Sequence, residues 1–121
     1  MSYTLFFDQM PEYLFVRSDG RISYATGLDI WRQIGTRLLT TGYKTFSRRA
    51  SGQKVSIGEM YLIVSRFSTF GLTGARIAFC DQGAETLVTN QFAALVAKNH
   101  GIDAKVFQEL KSAEKWLRSD N

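Results

Sequence analysis

The 121-residue sequence has only one cysteine, one proline and one histidine. The single cysteine, Cys80, cannot form an internal disulfide, which favours a reducing compartment and predicts a cytoplasmic protein. All apolar runs are shorter than the roughly 20 residues that a membrane span needs, so we expect no spanning helix. The first residues lack a basic start followed by an apolar stretch, and we therefore expect no secretory signal.

The chain also lacks the residue patterns of the common catalytic and cofactor sites. His100 has no second soft ligand except the distant Cys80, so we predict no metal site. No serine lies in a nucleophile-elbow pattern, and no glycine-rich loop of the dinucleotide-binding or P-loop type is present. The sequence thus predicts a protein that is not an enzyme, has no catalytic residues and needs no cofactor.

What the chain does have is enough apolar and aromatic surface to fold. Hydrophobic residues make up 45% of the sequence, and the aromatics are nine Phe, five Tyr and two Trp. A chain of this length and composition is expected to form one ordered domain over residues 1–121. Cys80 ends an apolar run and is predicted to be a buried small residue.

A strand–helix–strand unit in the C-terminal half gives the clearest structural signal. The apolar run 75–80 predicts a buried strand, which we expect to be the central one, and residues 104–107 predict a parallel partner. Between them lies a helix that Gly101 ends with a left-handed cap. Spacings of three and four residues predict its buried stripe. The members of that stripe are Leu87, Val88, Phe92, Leu95 and Val96.

The remaining elements complete an alternating order. The five predicted strands are residues 3–7, 13–17, 43–49, 75–80 and 104–107. A helix is predicted after each strand from the second onward, and residues 18–21 are predicted to form a turn. The strand over 43–49 is the weakest because it is mostly polar. This order predicts an α/β fold with one mixed, mainly parallel five-stranded sheet, four helices and an N-terminal hairpin.

The first two central helices have their own signals. Ser23 or Thr26 is expected to cap the first, and Gly35 inside it suggests close backbone packing. Ser56 and Glu59 form a capping box at the start of the second. The stripe predicted to be buried in the second helix consists of Ile57, Met60, Tyr61, Val64 and Phe67.

The order of elements and several short motifs resemble the SpoIIAA-like (STAS-like) family of small bacterial proteins. The motifs are Gly74-Ala-Arg-Ile-Ala-Phe, Asn90-Gln-Phe-Ala-Ala-Leu, Gly101-Ile-Asp-Ala-Lys-Val-Phe-Gln and the closing Ser112-Ala-Glu-Lys-Trp-Leu117. The resemblance implies a regulatory domain similar to the anti-anti-sigma regulators and, more distantly, to lipid-carrying CRAL-TRIO domains. In those regulators a phosphorylated serine, preceded by aspartate, opens the helix after the third strand. Here Lys54-Val55-Ser56 keeps the serine and lacks the aspartate.

Two groups of residues are candidate sites. Ser56, Gly58 and Met60 are the candidates for partner binding, with Ser56 as a phosphoacceptor, because a helix N-terminus favours a phosphate. Ser56 is equally well explained as a helix cap alone. The prediction is a regulatory or protein-interaction module with an unidentified protein partner.

The second group is Arg48, Arg49 and Lys54, within a stretch that has no acidic residue between Asp29 and Glu59. Such a surface could bind an anion or could simply be solvated. The alternative function is therefore a binder of a lipid or small anionic ligand. No specific nucleic-acid binding is expected, since no stacking platform or recognised motif is apparent. Exposed edge strands in such a sheet also favour pairing into a homodimer.

Overall fold

The computed structural model of the protein describes residues 3–20, 23–41, 44–49, 56–80 and 84–119. The strands are β1 (Tyr3–Gln9), β2 (Leu14–Gly20), β3 (Lys44–Arg49), β4 (Arg76–Cys80) and β5 (Asp103–Phe107). The α-helices are α1 (Tyr24–Thr41), α2 (Ile57–Val64), α3 (Ala84–Asn99) and α4 (Leu110–Arg118), and a short 3-10 helix covers Phe67–Phe70. None of these helices combines the length and the apolar character that a bilayer crossing requires within the described residues.

The five strands form one sheet in the order β1-β2-β3-β4-β5. β1 is antiparallel to β2, and every other neighbouring pair is parallel. The α/β class, the mainly parallel sheet and the N-terminal hairpin are thus confirmed. The central strand, however, is β3 and not β4. The sequence of β3 is mostly polar because only two of its residues, Thr45 and Phe46, are fully buried, each with 0% exposure.

The helices are unequally divided between the two faces of the sheet. α1, α2, the 3-10 helix and α3 cover one side, hereafter the three-helix face, and bury the larger core cluster. α4 alone covers the other side, hereafter the single-helix face, where Ala113 and Leu117 pack on Phe46, Ala78 and Cys80. Helices that link parallel strands in sequence cross over with one handedness, which places α1, α2 and α3 on the same side. The predicted burial of Cys80 is confirmed.

Two glycines have the roles that the sequence suggests. In α1, a Cβ added at Gly35 would lie 2.2 Å from the carbonyl oxygen of Phe70, so the backbone of the 3-10 helix occupies the side-chain position. Gly101 has a φ of +81°, the left-handed conformation that glycine adopts without strain. Its N–H donates to Lys98 O and the N–H of Ile102 donates to Ala97 O, which is the Schellman pattern at the end of α3.

The predicted turn over residues 18–21 is wrong where the structure describes it. Ser18 and Asp19 continue β2, and Asp19 pairs with Thr4 of β1. The polar sequence suggested a turn, but pairing with β1 satisfies the backbone of these residues and extends the hairpin. Residues 21–22 lie outside the described residues.

The predicted buried stripes of α2 and α3 are wrong in part. Met60 and Val64 are buried, and Phe67 is buried although it lies in the 3-10 helix beyond α2. Ile57 and Tyr61, in contrast, are 48% and 49% exposed. The helix ends after eight residues at Val64, so its two turns bury only one narrow side.

On α3 the residues that face the sheet are small. Of the predicted stripe, Val96 is buried and Phe92 is half-buried against the core, whereas Val88 and Leu95 are 61% and 58% exposed. Ala93, Ala94 and Ala97, which the predicted stripe left out, are also buried. Small side chains let a helix approach its neighbour closely, and α3 therefore turns its alanines inward, while Val88 and Leu95 face outward. The apolar residues of α3 occupy more than one side of the helix, so spacing alone selected the exposed Val88 and Leu95 together with the buried Val96.

Candidate functional site

The predicted phosphoacceptor Ser56 caps α2. Its hydroxyl oxygen accepts a hydrogen bond of 3.1 Å from the backbone N–H of Glu59, and the hydroxyl lies 3.1 Å from the Glu59 carboxylate, to which it donates. The first bond confirms Ser56 as the N-cap, whereas the predicted return bond differs, because the Glu59 carboxylate accepts from the Ser56 hydroxyl instead of the Ser56 backbone N–H. Ser56 is exposed, so the same hydroxyl is accessible to solvent.

The structure separates the other two candidates for partner binding. Gly58 lies on the outside of α2, where an added Cβ would meet no atom within 4 Å. Met60 is 7% exposed and faces the core beneath the helix. A partner that approaches α2 can therefore touch Ser56 and Gly58 directly but contacts Met60 only if α2 moves.

The predicted anion-binding residues begin on β3. Arg48 is half-buried and stands next to Arg17 in the parallel register of β2 and β3. Arg17 forms an ion pair of 3.4 Å with Asp19, whereas no acidic residue within the described part of the chain pairs with Arg48. The backbone of Arg49 lies opposite Ser18, but its side chain and the whole of Lys54 lie outside the described residues.

A small cavity of about 40 Å³ lies between the sheet and the three helices that cover it. Trp31, Met60 and Phe79 contribute apolar walls, and Ser18 and Ser47 contribute hydroxyl groups. A cavity of this size holds water molecules, since one water needs only about 10–15 Å³ by this measure. It is too small for an acyl chain.

An exposed apolar surface lies on the outer sides of α2 and α3, which carry five of the seven large apolar side chains that are exposed in the described part of the chain. Its members, hereafter the α2–α3 surface, are each about half exposed: Ile57, Tyr61, Leu62, Val88 and Leu95. The half-buried Phe92 joins the two helices, because its ring centroid is 6.3 Å from that of Tyr61. Sequence reasoning assigned most of these residues to the core. The alanine-rich side of α3 is the signal that could have identified these residues. If the alanines pack against the core, the larger apolar residues on the other side of the helix are left exposed.

Charged residues of opposite sign lie at the two ends of the α2–α3 surface. α2 and α3 each connect two parallel strands and so run in the same direction. Arg66, just after α2, and Lys98, in the last turn of α3, therefore lie towards the same end, and both are exposed. Glu59 lies in the first turn of α2 at the opposite end. The surface is thus apolar along its length, with basic residues at one end.

Two tyrosines link the hairpin to helices and have perturbed acid–base behaviour. The hydroxyl of Tyr13 donates to Glu114 Oε2 of α4 at 2.5 Å, and burial together with this bond raises the pKa of Tyr13 to about 12. On the other side, the hydroxyl of Tyr3 donates to Asp29 of α1, which raises the pKa of Tyr3 and lowers the pKa of Asp29. Both bonds are structural links between elements.

Within the described ranges, no three residues among the His, Cys, Asp and Glu are grouped so as to hold a metal ion. No protein-family model matches the chain, and no curated protein is significantly similar to it. The resemblance to the SpoIIAA-like family, and the activity that it implies, therefore remain predictions from the motifs.

Proposed function

We propose that this protein is a non-enzymatic, regulatory protein-interaction module of the SpoIIAA-like type, and that its partner binds the α2–α3 surface. The observation that carries the proposal is the exposure of five large apolar side chains on two adjacent helices. Contiguous apolar patches of this kind mark interaction sites in soluble proteins, because exposing them to water is unfavourable. Ser56 and Gly58 lie at the start of the same surface, which keeps these predicted residues within the site.

The partner is an amphipathic helix. Two helices packed side by side leave a shallow groove, and a third helix fills such a groove with an apolar stripe at spacings of three and four residues. Tyr61 and Phe92 meet between α2 and α3, and Val88 and Leu95 extend the apolar surface along α3. Arg66 and Lys98 favour a partner helix whose acidic residues lie at the end that meets them.

The test compares three forms of the protein as baits in extracts of the source cells. Val88→Lys with Leu95→Lys places two charges on the α2–α3 surface. The matched control, Gln108→Lys with Ser112→Lys, adds the same charge at exposed positions near α4. We expect quantitative mass spectrometry to find a protein that the wild type and the control retain and the surface variant loses at least tenfold. If every bound protein is retained equally by all three forms, the α2–α3 surface is not the site.

A small-anion site is a second candidate, favoured by the placement of Arg17 and Arg48 on neighbouring strands. Two adjacent guanidinium groups attract phosphate or carboxylate groups. The small cavity gives no support to a lipid carrier, so the candidate ligand is a small anion. In a titration with inorganic phosphate followed by NMR, shifts that center on Arg17 and Arg48 and vanish in Arg48→Ala support this candidate. Equal shifts in that variant and in the control Arg118→Ala contradict it.

A further inference from the structure

We propose that β1 pairs in antiparallel fashion with β1 of a second copy, centred on Phe6, so that two sheets join into one ten-stranded sheet. This interface lies on the hairpin side of the sheet and is independent of the α2–α3 surface. Four features of β1 support it: an edge that, among the described residues, pairs only with β2, the direction of its free backbone groups, a self-complementary sequence and an exposed aromatic ring.

The two edges of the sheet differ in how they are protected against pairing. The edge strand β5 has exposed Lys105 at its centre, and its Asp103 forms an ion pair of 3.2 Å with Arg76. Charged residues, lysine above all, are the usual means of preventing edge-to-edge pairing. β1 has seven residues, no lysine, no proline and no interruption in its register with β2. Among the described residues, only β2 pairs with it.

The free backbone groups of β1 are those of its odd-numbered residues. The N–H of Met10 donates to the carbonyl of Tyr13 at 2.9 Å, so the backbone of Met10 points towards β2. Backbone direction alternates along a strand, and Thr4, Phe6 and Asp8 therefore also point their backbone groups towards β2. The outward groups belong to the odd-numbered residues. With a two-fold axis at Phe6, the outward groups of the two copies form hydrogen bonds with each other. Phe6 then faces Phe6 of the second copy in a non-hydrogen-bonded pair, the kind in which side chains approach most closely.

The side chains of β1 are self-complementary in this register. Phe6 faces Phe6 of the second copy, and Leu5 faces the copy's Phe7, so apolar residues meet apolar residues. Asp8 faces the copy's Thr4, a hydroxyl donor, and no two like charges are opposite each other. Centring on Phe7 instead would place Phe6 against Asp8, and centring on Leu5 would place Phe6 against Thr4.

Phe6 is the residue that gains most from the pairing. It is 55% exposed, although it ends a row of rings on the single-helix face. Its ring centroid lies 6.3 Å from that of Phe15, which is 5.4 Å from that of Phe46. α4 packs mainly on β3, β4 and β5, so its main contacts lie away from β1. A second copy of Phe6 would extend the row and cover the exposed ring.

Disulfide trapping tests the register. Cys80 is the one native cysteine and is buried, so a new cysteine on β1 is a specific probe. In Phe6→Cys the two Cα atoms would be about 4.5 Å apart, within the range for a disulfide, and we expect most of the protein to become a covalent dimer under mild oxidation. In the control Thr4→Cys the two cysteines would be about 14 Å apart, and we expect at least tenfold less dimer. Thr4→Cys with Asp8→Cys should restore cross-linking.

Solution mass provides the second measurement. We expect light scattering to give twice the 13.7 kDa chain mass for the wild type and the single chain mass for Phe6→Lys, with an unchanged circular dichroism spectrum. A wild type that stays monomeric at millimolar concentration overturns the proposal. A dimer that persists in Phe6→Lys, or that cross-links equally through Thr4→Cys and Phe6→Cys, also overturns it because the interface then lies elsewhere or has another register.

Discussion

The two faces of the sheet are held to their helices by different kinds of interaction. On the three-helix face, side chains such as Ile34, Phe67 and Ile77 are 0% exposed and pack in one continuous apolar cluster. On the single-helix face, α4 buries mainly Ala113 and Leu117. Trp116 adds a ring contact with Phe107, at 5.5 Å between centroids, and the polar part of the attachment includes the Tyr13–Glu114 hydrogen bond.

Arg76 shows how far the polar attachment of α4 extends. Its guanidinium donates to the carbonyl of Trp116 at 3.0 Å and to that of Ser119 at 2.8 Å, and it lies 5.0 Å from the centre of the Trp116 ring. These bonds join β4 to the end of α4. Apolar burial depends little on pH, whereas hydrogen bonds to ionisable groups change with protonation. The Tyr13–Glu114 bond therefore predicts that the attachment of α4 responds to pH, and the Tyr3–Asp29 bond adds a second pH-dependent link, between β1 and α1.

The largest expected effect comes from removing one phenylalanine ring from each face of the sheet and comparing the losses of stability. Phe67→Ala should lower the free energy of unfolding by about 3–5 kcal/mol, because it removes a fully buried ring from the larger cluster. Phe15→Ala, on the open part of the single-helix face, should cost about 1–2 kcal/mol, because that ring is only half-buried. Urea denaturation at low protein concentration measures both. Equal losses would mean that the two faces contribute alike.

Particular residues show how much of the fold could be predicted from the sequence. The N-cap at Ser56, the cap at Gly101 and the close packing at Gly35 are local signals, and the structure confirms them. The central position of β3 was not predictable from its composition, because strand order depends on contacts between distant segments. The polar residues of β3 gave no sign of it.

The side chains that form the α2–α3 surface were missed for a related reason. A periodic pattern identifies a helix, but it does not choose between two apolar sides of one helix. On α3, the side that carries Ala93 and Ala97 faces the sheet, because small residues permit the closest approach to it. The sequence therefore predicts the helix and its position in the fold better than it predicts the surface that the helix presents.

Gly35→Ala should have the next largest effect, confined to the three-helix face. The new methyl group would overlap the backbone of the 3-10 helix at Phe70, so the two elements must separate, at a cost of about 1–3 kcal/mol. Gly58→Ala is the matched control on α2, where the space is open, and should stabilise the protein by about 0.4–1 kcal/mol. Thermal unfolding measures both. A neutral Gly35→Ala would contradict the close approach of α1 and the 3-10 helix.

The polar attachment of α4 should appear as a pH dependence at alkaline pH. The pKa of Tyr13 rises to about 12 in the folded protein, whereas an unperturbed tyrosine has a pKa of about 10. Between these values the unfolded chain loses a proton that the folded protein keeps, so the free energy of unfolding falls as the pH rises. Tyr3, whose pKa is also raised, contributes in the same direction.

Tyr13→Phe isolates this contribution. The variant should lose about 1 kcal/mol of stability at neutral pH, because one hydrogen bond is removed. The difference between wild type and variant should then shrink from pH 10 upwards. Hydrogen exchange should show the loss in α4 before it appears in α1. A constant difference up to pH 12 would mean that the Tyr13 hydroxyl does not link stability to pH.

The smallest expected effect concerns Ser56, at the start of α2, the shortest α-helix on the three-helix face. Ser56→Ala removes the acceptor for the N–H of Glu59 and should cost about 0.5–1 kcal/mol, whereas Ser56→Asp keeps an acceptor and should cost less. Chemical denaturation of both variants beside the wild type measures the difference. If Ser56→Ala costs nothing, capping does not explain the serine, and its role as a phosphoacceptor gains support. If Ser56→Asp is as stable as the wild type, capping is sufficient to explain the serine. A phosphate on Ser56 would then have to act on the partner that binds the α2–α3 surface.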